Sequence, residues 1–144
     1  MLAGYLALTV AAAFTGAAFY VGFAEQPARL ELDDRALLAE WKPAYKRGFA
    51  MQAPLAVIGF ILGLVAWWLT GRVTFLVGAI LLVTNWPWTM IGIMPTNKAL
   101  MAIGPEGAGP QSRALIVRWS SLHAVRTALG GLAVVAFLVA LSSN

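Results

Sequence analysis

Four long apolar segments constrain the fold of this chain more than any other feature. They cover about residues 2–24, 49–70, 73–94 and 112–141 of the 144 residues. A helix needs about 20 mainly apolar residues to cross a bilayer, and a helix pairs its own backbone polar groups inside the lipid. The sequence therefore predicts an all-α protein, a single four-transmembrane-helix bundle that extends over residues 1–144.

The composition excludes several other classes of protein. Hydrophobic residues make up 60% of the chain and charged residues 11%, whereas about a quarter of the residues of a soluble domain are charged. The ten basic residues are scattered among six acidic ones, which favours contact with lipid headgroups over a nucleic-acid surface. The chain has no cysteine, which excludes disulfides and thiolate chemistry. We therefore expect the lipid bilayer as a partner and no nucleic acid.

The segments that connect the spans hold many of the charged and turn-forming residues. No basic residues precede the first apolar segment, so we expect an uncleaved helix and not a signal peptide. Pro27 is expected to end that helix. Asp33 or Asp34 is expected to begin a short interfacial helix in loop 1, which Pro43 interrupts. A second short amphipathic helix around Leu100, in loop 3, is compatible with the sequence.

Small residues indicate which helices come close together. Gly71, followed by an arginine, predicts a tight turn, so spans two and three should be antiparallel neighbours. Two pairs of small residues four positions apart, Ala12 with Gly16 and Gly59 with Gly63, predict faces where a neighbouring helix approaches closely.

Basic residues in the connections predict the orientation. Loops 1 and 3 carry most of the lysines and arginines, whereas the side that holds both termini has Arg72 alone. The positive-inside rule then places loops 1 and 3 in the cytoplasm and both termini outside. We expect an integral membrane protein, of the inner membrane if the source is bacterial.

The last span carries charged residues where lipid contact would be expected. A charge near the bilayer centre costs from ~3 to more than 10 kcal/mol, so such groups normally face the interior of a bundle. Trp119, His123 and Arg126 have the spacing i, i+4, i+7 and share one helix face. Arg118 is expected to extend to the headgroups. For Arg126 we expect a buried partner: Glu25, a carbonyl or a ligand.

The third span contains the run Asn85-Trp86-Pro87-Trp88 in its second half. Pro87 deprives the carbonyl of Val83 of its helical donor, which a polar cavity can tolerate inside a membrane. Estimated depths place Asn85 level with Arg126. We therefore predict one buried polar site, with Tyr20 and Glu25 at the same end of the bundle. Its residues would be Asn85, His123 and Arg126, with Trp86, Trp88 and Trp119 as walls.

The sequence gives no support for a metal or another cofactor. A single histidine without nearby carboxylates or thiolates cannot assemble three or four metal ligands. The chain has no phosphate loop and no dinucleotide fingerprint, and haem ligation through His123 has no further support. We expect no cofactor.

Several spaced motifs together resemble the DUF1772, or anthrone oxygenase-like, family. The similarity runs from about Thr15 to the middle of the last span. It rests on the residues Thr15-Gly16-Ala17-Ala18-Phe19-Tyr20, Glu25-Gln26-Pro27-Ala28-Arg29, Trp41-Lys42-Pro43-Ala44-Tyr45, Asn85-Trp86-Pro87, Met94-Pro95-Thr96-Asn97 and Arg118-Trp119 with His123 and Arg126.

The resemblance implies oxidation of an anthrone to an anthraquinone by dioxygen, without an obvious metal or flavin. His123 would then act as the base, while Arg126 and Asn85 would stabilise an oxyanion. Glu25 and the aromatic residues Tyr20, Trp86, Trp88 and Trp119 would line the site for a hydrophobic aromatic molecule.

The alternative is a non-catalytic membrane module whose buried polar cluster is structural. Such a module would bind a hydrophobic ligand or serve as a partner subunit. A transporter would need several copies of a chain this short. The sequence leaves open whether the chain forms a homo-oligomer.

Overall fold

Four long helices form the structure, a computed structural model that describes residues 1–143. The helices are α1 (Leu2–Leu30), α2 (Asp34–Thr70), α3 (Val73–Ala102) and α4 (Pro110–Ser142). Each is long and apolar enough to cross a membrane, and the described residues contain no β-strand. The prediction of an all-α, four-helix transmembrane bundle is confirmed.

The helices pack as a closed ring around two clusters of buried side chains. α1 and α3 each pack mainly against α2 and α4. On α4, Trp119 belongs to one cluster and Phe137 to the other, with His123 and Arg126 between them. The cluster near the chain termini includes Phe14, Phe75, Leu82 and Phe137, and the cluster near loops 1 and 3 includes Leu37, Trp41, Leu100, Ile116 and Trp119.

Glycines in α2 allow close approach of the neighbouring helices. A Cβ atom at Gly63 would lie 2.9 Å from Cβ of Ala79, and one at Gly59 would overlap Leu82. The predicted close-approach face at Gly59 and Gly63 is therefore confirmed. The face predicted at Ala12 and Gly16 is wrong, because both residues are exposed and the buried stripe of α1 lies elsewhere: Gly4, Ala7, Ala11, Phe14 and Ala18.

The turn after α2 follows the prediction. Gly71 has φ 70° in the left-handed region, which glycine adopts at little cost, and its N–H donates to the carbonyl of Trp67. α3 begins two residues later, so α2 and α3 are antiparallel neighbours. Nη1 of Arg72 donates to the carbonyl of Ala140 at 2.9 Å, which ties this turn to α4.

Loop 1 differs from the prediction because α2 is continuous. The expected interfacial helix is the first part of α2, and Pro43 lies inside that helix. Nζ of Lys42 donates to the carbonyls of Met101 and Ile103. These contacts, with the burial of Trp41, hold the segment in line although Pro43 supplies no backbone donor. Asp33 is the N-cap, as predicted.

Two other proline positions show how the helices accommodate missing donors. α1 continues past Pro27 to Leu30, after a π-helical turn at Val21–Glu25, so the predicted end at Pro27 is wrong. α3 is irregular at Thr84, three residues before Pro87, and has a second π-helical turn at Thr89–Ile93. The predicted irregularity at Pro87 is therefore present.

Loop 3 contains no separate interfacial helix among its described residues. α3 itself continues through Leu100 to Ala102. Only a short 3₁₀ turn, Pro105–Gly107, follows before α4 begins at Pro110.

Candidate functional site

A cavity of about 350 Å³ lies between the two core clusters. Its volume is within the range of about 300–1,000 Å³ typical of small-molecule sites. All four helices contribute to its lining, which consists of Ala17, Tyr20, Val21, Glu25, Arg29, Ala44, Tyr45, Arg47, Gly48, Phe49, Met51, Gln52, Thr89, Ile93, Asn97, Trp119, His123 and Arg126.

One face of α4 supplies the aromatic and basic wall of the cavity. Trp119, His123 and Arg126 are all buried there, as their spacing predicts. The Trp119 and His123 rings are stacked, with centroids 4.8 Å apart and an angle of 20° between the planes. Arg118, one residue away on the helix, is exposed. The site face of α4 therefore points into the bundle and not toward lipid.

The hydrogen bond of His123 defines which ring nitrogen is available for chemistry. Nε2 lies 3.2 Å from the carbonyl oxygen of Ala18 in α1. A carbonyl only accepts, so Nε2 carries the proton in the neutral ring and Nδ1 carries the lone pair. Nδ1 has no hydrogen-bond partner among residues 1–143. The α1 backbone thus orients the ring and leaves Nδ1 as the acceptor.

Arg126 is a buried cation in the same wall. Its guanidinium carbon lies 5.4 Å from the centroid of the Phe14 ring, within cation–π range. It forms no ion pair with a carboxylate in the described part of the chain, and its Nε has no hydrogen-bond partner there. Of the three partners considered for Arg126, Glu25 is not used, because Glu25 pairs with Arg29, four residues along the same helix.

Arg29 joins α1 to α2 beside the cavity. Its side chain is 3% exposed, and its Nε lies 3.0 Å from the carboxylate of Glu40 in α2. Together with Glu25, these residues form a two-carboxylate, one-guanidinium cluster. The carboxylate of Glu25 is therefore directed at Arg29 and not at Arg126.

The set of site residues predicted from the sequence lacks four buried polar residues of the lining: Arg29, Gln52, Thr89 and Asn97. Oε1 of Gln52 and Oδ1 of Asn97 have no hydrogen-bond partner within residues 1–143. Two features of the sequence indicate the three uncharged residues. Gln52 is a polar residue inside an apolar segment, and one face of α3 carries Thr89, Ile93 and Asn97 at intervals of four residues.

Of the residues predicted to form the site, five line the main cavity and three do not. Tyr20, Glu25, Trp119, His123 and Arg126 line it, with Tyr20 60% exposed at its edge. The others are Asn85, Trp86 and Trp88, all on α3.

Asn85 and Trp86 line a narrow adjoining pocket of about 10 Å³, which shares Arg126 with the main cavity. Nδ2 of Asn85 donates to the carbonyl of Leu82 within its own helix at 3.0 Å, and Oδ1 has no partner in the described residues. Trp88 lies outside both linings, and its Nε1 donates to the carbonyl of Leu122 at 3.0 Å.

The arrangement combines a proton acceptor, a cation and apolar walls. Within residues 1–143, no group of three or more histidine, cysteine or acidic side chains is placed to hold a metal ion. Nδ1 of His123 can accept a proton, and the guanidinium of Arg126 can stabilise a negative charge.

The sequence model of the anthrone oxygenase family matches residues 41–136, more than half of the chain. The chain belongs to the anthrone oxygenase family. The match includes Asn85, Trp119, His123 and Arg126, whereas Tyr20 and the rest of α1 lie before it. Neither a curated protein nor a solved structure matches the chain.

Proposed function

We propose that this member of the anthrone oxygenase family binds a hydrophobic polycyclic aromatic molecule of the anthrone type and oxidises it with dioxygen, without a cofactor. The observation that carries the proposal is the pair formed by His123, with Nδ1 free to accept, and buried Arg126 on one wall of a mainly apolar cavity of about 350 Å³.

The first step would be proton transfer. The methylene group of an anthrone lies between two aromatic rings and is conjugated with a carbonyl, so its proton is acidic. Nδ1 of His123 takes that proton, and the electron pair moves through the ring onto the carbonyl oxygen. Arg126 is buried and supplies a positive charge for the enolate oxygen, and such a charge stabilises more strongly there than in bulk water.

The second step would be electron transfer to dioxygen. The enolate gives one electron to dioxygen, and the resulting superoxide and carbon radical combine to form a carbon–oxygen bond at the former methylene. The peroxide takes a proton, the remaining hydrogen on that carbon leaves as a proton, and the oxygen–oxygen bond breaks. One anthrone and one dioxygen give one anthraquinone and one water, so no external reductant is needed.

The test is dioxygen consumption by the purified chain with 9-anthrone, after subtraction of the spontaneous rate. Loss of a general base typically lowers rates by about 10²–10⁴, and we expect this for His123→Ala. Loss of an oxyanion donor costs about 10²–10³, and we expect this for Arg126→Ala. Arg118→Ala is the matched control, an exposed arginine of the same helix, and should keep the parental rate.

Two outcomes would contradict the proposal. If His123→Ala oxidises anthrone at the parental rate, His123 is not the base. If neither variant loses activity but both unfold at lower temperature than the parent, the buried polar set is structural. The chain would then be a non-catalytic membrane module.

We also propose that the end of the bundle with loops 1 and 3 faces the cytoplasm. The excess of lysine and arginine near that end supports this orientation. The cavity would then lie nearer the cytoplasmic side of the membrane.

A further inference from the structure

The cavity opens to the surface between α1 and α2. Its lining residues from α3 and α4 are all buried. The exposed ones come from the other two helices: Tyr20 of α1, and Arg47 and Met51 of α2. Gly48 lies between the last two and also lines the cavity. A ligand that enters here passes sideways between two helices.

This mouth lies at the boundary between charged and apolar segments on both helices. In α1, Glu25 is the first charged residue after Met1, and in α2, Arg47 is the last charged residue before Thr70. Tyr20 and Met51 lie four or five residues into the apolar side, which is about 6–8 Å along a helix. The mouth therefore spans the depth at which lipid headgroups meet acyl chains.

The charges around the mouth favour a negative ligand. Arg47 is exposed at the rim and forms no ion pair with any described carboxylate. The one acidic residue of the lining, Glu25, is held by Arg29. Inside, Arg126 likewise faces no carboxylate partner within residues 1–143. An anion that moves from the rim to the interior meets uncompensated positive charge at both ends.

We propose that this mouth is a lateral portal through which an amphiphilic aromatic molecule enters from the interfacial layer of the bilayer. Arg47 at its rim selects a molecule that carries a carboxylate or an ionised phenol. The inference rests on the proposed function, because it concerns the ligand of the same cavity. An amphiphile of this class lies with its rings among the acyl chains and its charge at the headgroups, level with the rim.

Gly48 offers a clean way to obstruct the portal. A Cβ atom there would meet no other heavy atom within 4 Å, so a leucine side chain extends into open space and not into the core. Replacing a glycine inside a helix also removes a local cost of about 1 kcal/mol relative to alanine, so the helix is not weakened. Gly16 is the control, since a Cβ atom there is likewise unobstructed, whereas the residue is exposed and lies outside the cavity.

The experiment measures association of two probes with the full chain in phosphatidylcholine vesicles, by quenching of tryptophan fluorescence in a stopped-flow instrument. The probes are anthraquinone-2-carboxylate and uncharged 9,10-anthraquinone. We expect Gly48→Leu to slow both by about tenfold, because a blocked approach lowers the association rate, and Gly16→Leu to match the parent. Arg47→Gln should slow only the carboxylate, by about fivefold, because a rim charge acts mainly on the association rate of a charged ligand.

Three results would overturn the portal. They are parental association rates in Gly48→Leu, equal slowing of both probes in Arg47→Gln, and absence of quenching in the parent. If Gly48→Leu does not fold, Met51→Trp replaces it as the obstructing variant, because it enlarges an exposed residue of the rim. It should slow the association of both probes by the same factor.

The oxidation assay separates this inference from the proposed function. If the probes bind through the portal but the parent protein consumes no dioxygen with anthrone, only the proposed oxidation is contradicted. If Gly48→Leu oxidises anthrone and binds the probes at the parental association rates, only the portal is contradicted.

Discussion

The environment of His123 turns a common side chain into an oriented proton acceptor. A peptide carbonyl cannot donate, so its contact with Nε2 fixes one tautomer whatever occupies the cavity. The stacked Trp119 ring restricts rotation of the imidazole. A carboxylate commonly orients such a histidine in other sites, whereas the α1 backbone at Ala18 does so here.

This tautomer can be observed directly, because the chain contains one histidine. In protein labelled with ¹⁵N-histidine, we expect the neutral ring to show a protonated Nε2 and an unprotonated Nδ1. The hydrogen bond to Ala18 is the physical reason. Nitrogen chemical shifts in detergent provide the measurement, and a spectrum with the proton on Nδ1 would contradict the role given to that atom.

At this scale the sequence predicted the buried face of α4 better than the pairing of the charged side chains. The spacing of Trp119, His123 and Arg126 was sufficient to place them on one inward face. The partner of Glu25 was also readable, since Arg29 follows it at i+4. The contact of His123 with Ala18 was not predictable, because it depends on the rotation of α1 about its own axis.

At the scale of elements, the predicted spans were right and the helix lengths were not. Pro27 predicts a helix end and Pro43 an interruption, yet α1 and α2 continue through these residues. Helix propensity is a local effect. The burial of Trp41 depends on residues distant in sequence, and the ion pair between Arg29 and Glu40 joins two helices. Such contacts keep the helices continuous past these prolines.

Close packing of α3 on α4 depends on Gly78. A Cβ atom at this position would lie 2.5 Å from the Phe137 ring, which is fully buried. We therefore expect Gly78→Ala to lower the free energy of unfolding by about 1–3 kcal/mol, the usual cost of overpacking a core. Thermal unfolding in detergent measures the loss.

Gly131→Ala is the control for this prediction, because a Cβ atom there meets nothing within 4 Å. It should unfold at or slightly above the parental temperature, since alanine favours a helix over glycine. Equal effects of the two substitutions would show that the packing at Phe137 does not control stability.

At the scale of the whole molecule, orientation is the property with the most direct test. The chain has no cysteine, so a single introduced cysteine is a unique label. In spheroplasts, we expect an impermeant maleimide to label Ser143→Cys, whereas Glu106→Cys in loop 3 should react only after permeabilisation. Both positions are exposed, which makes them matched reporters. The reverse pattern would place loops 1 and 3 outside and contradict the positive-inside prediction.

The cavity is a property of the whole molecule, and the sequence could not predict its size or its opening. Apolar segments indicate that helices pack but not where two of them separate. The exposed lining residues, Tyr20 and Met51 among them, are ordinary in a lipid-facing helix. Their place at the edge of the cavity is defined only when all four helices are packed together.

The length of α2 has a consequence for the membranes in which this protein works. Its 37 residues extend about 55 Å, whereas the hydrocarbon of a bilayer is about 30 Å thick. The helix therefore protrudes, and the height of the lipid surface beside Gly48 depends on the thickness of the host bilayer. A thicker bilayer would bring acyl chains up to Arg47, and a thinner one would bring headgroups down to Met51. With the proposed portal at this position, the same chain would admit different ligands in different membranes, and lipid chain length would become a determinant of its specificity.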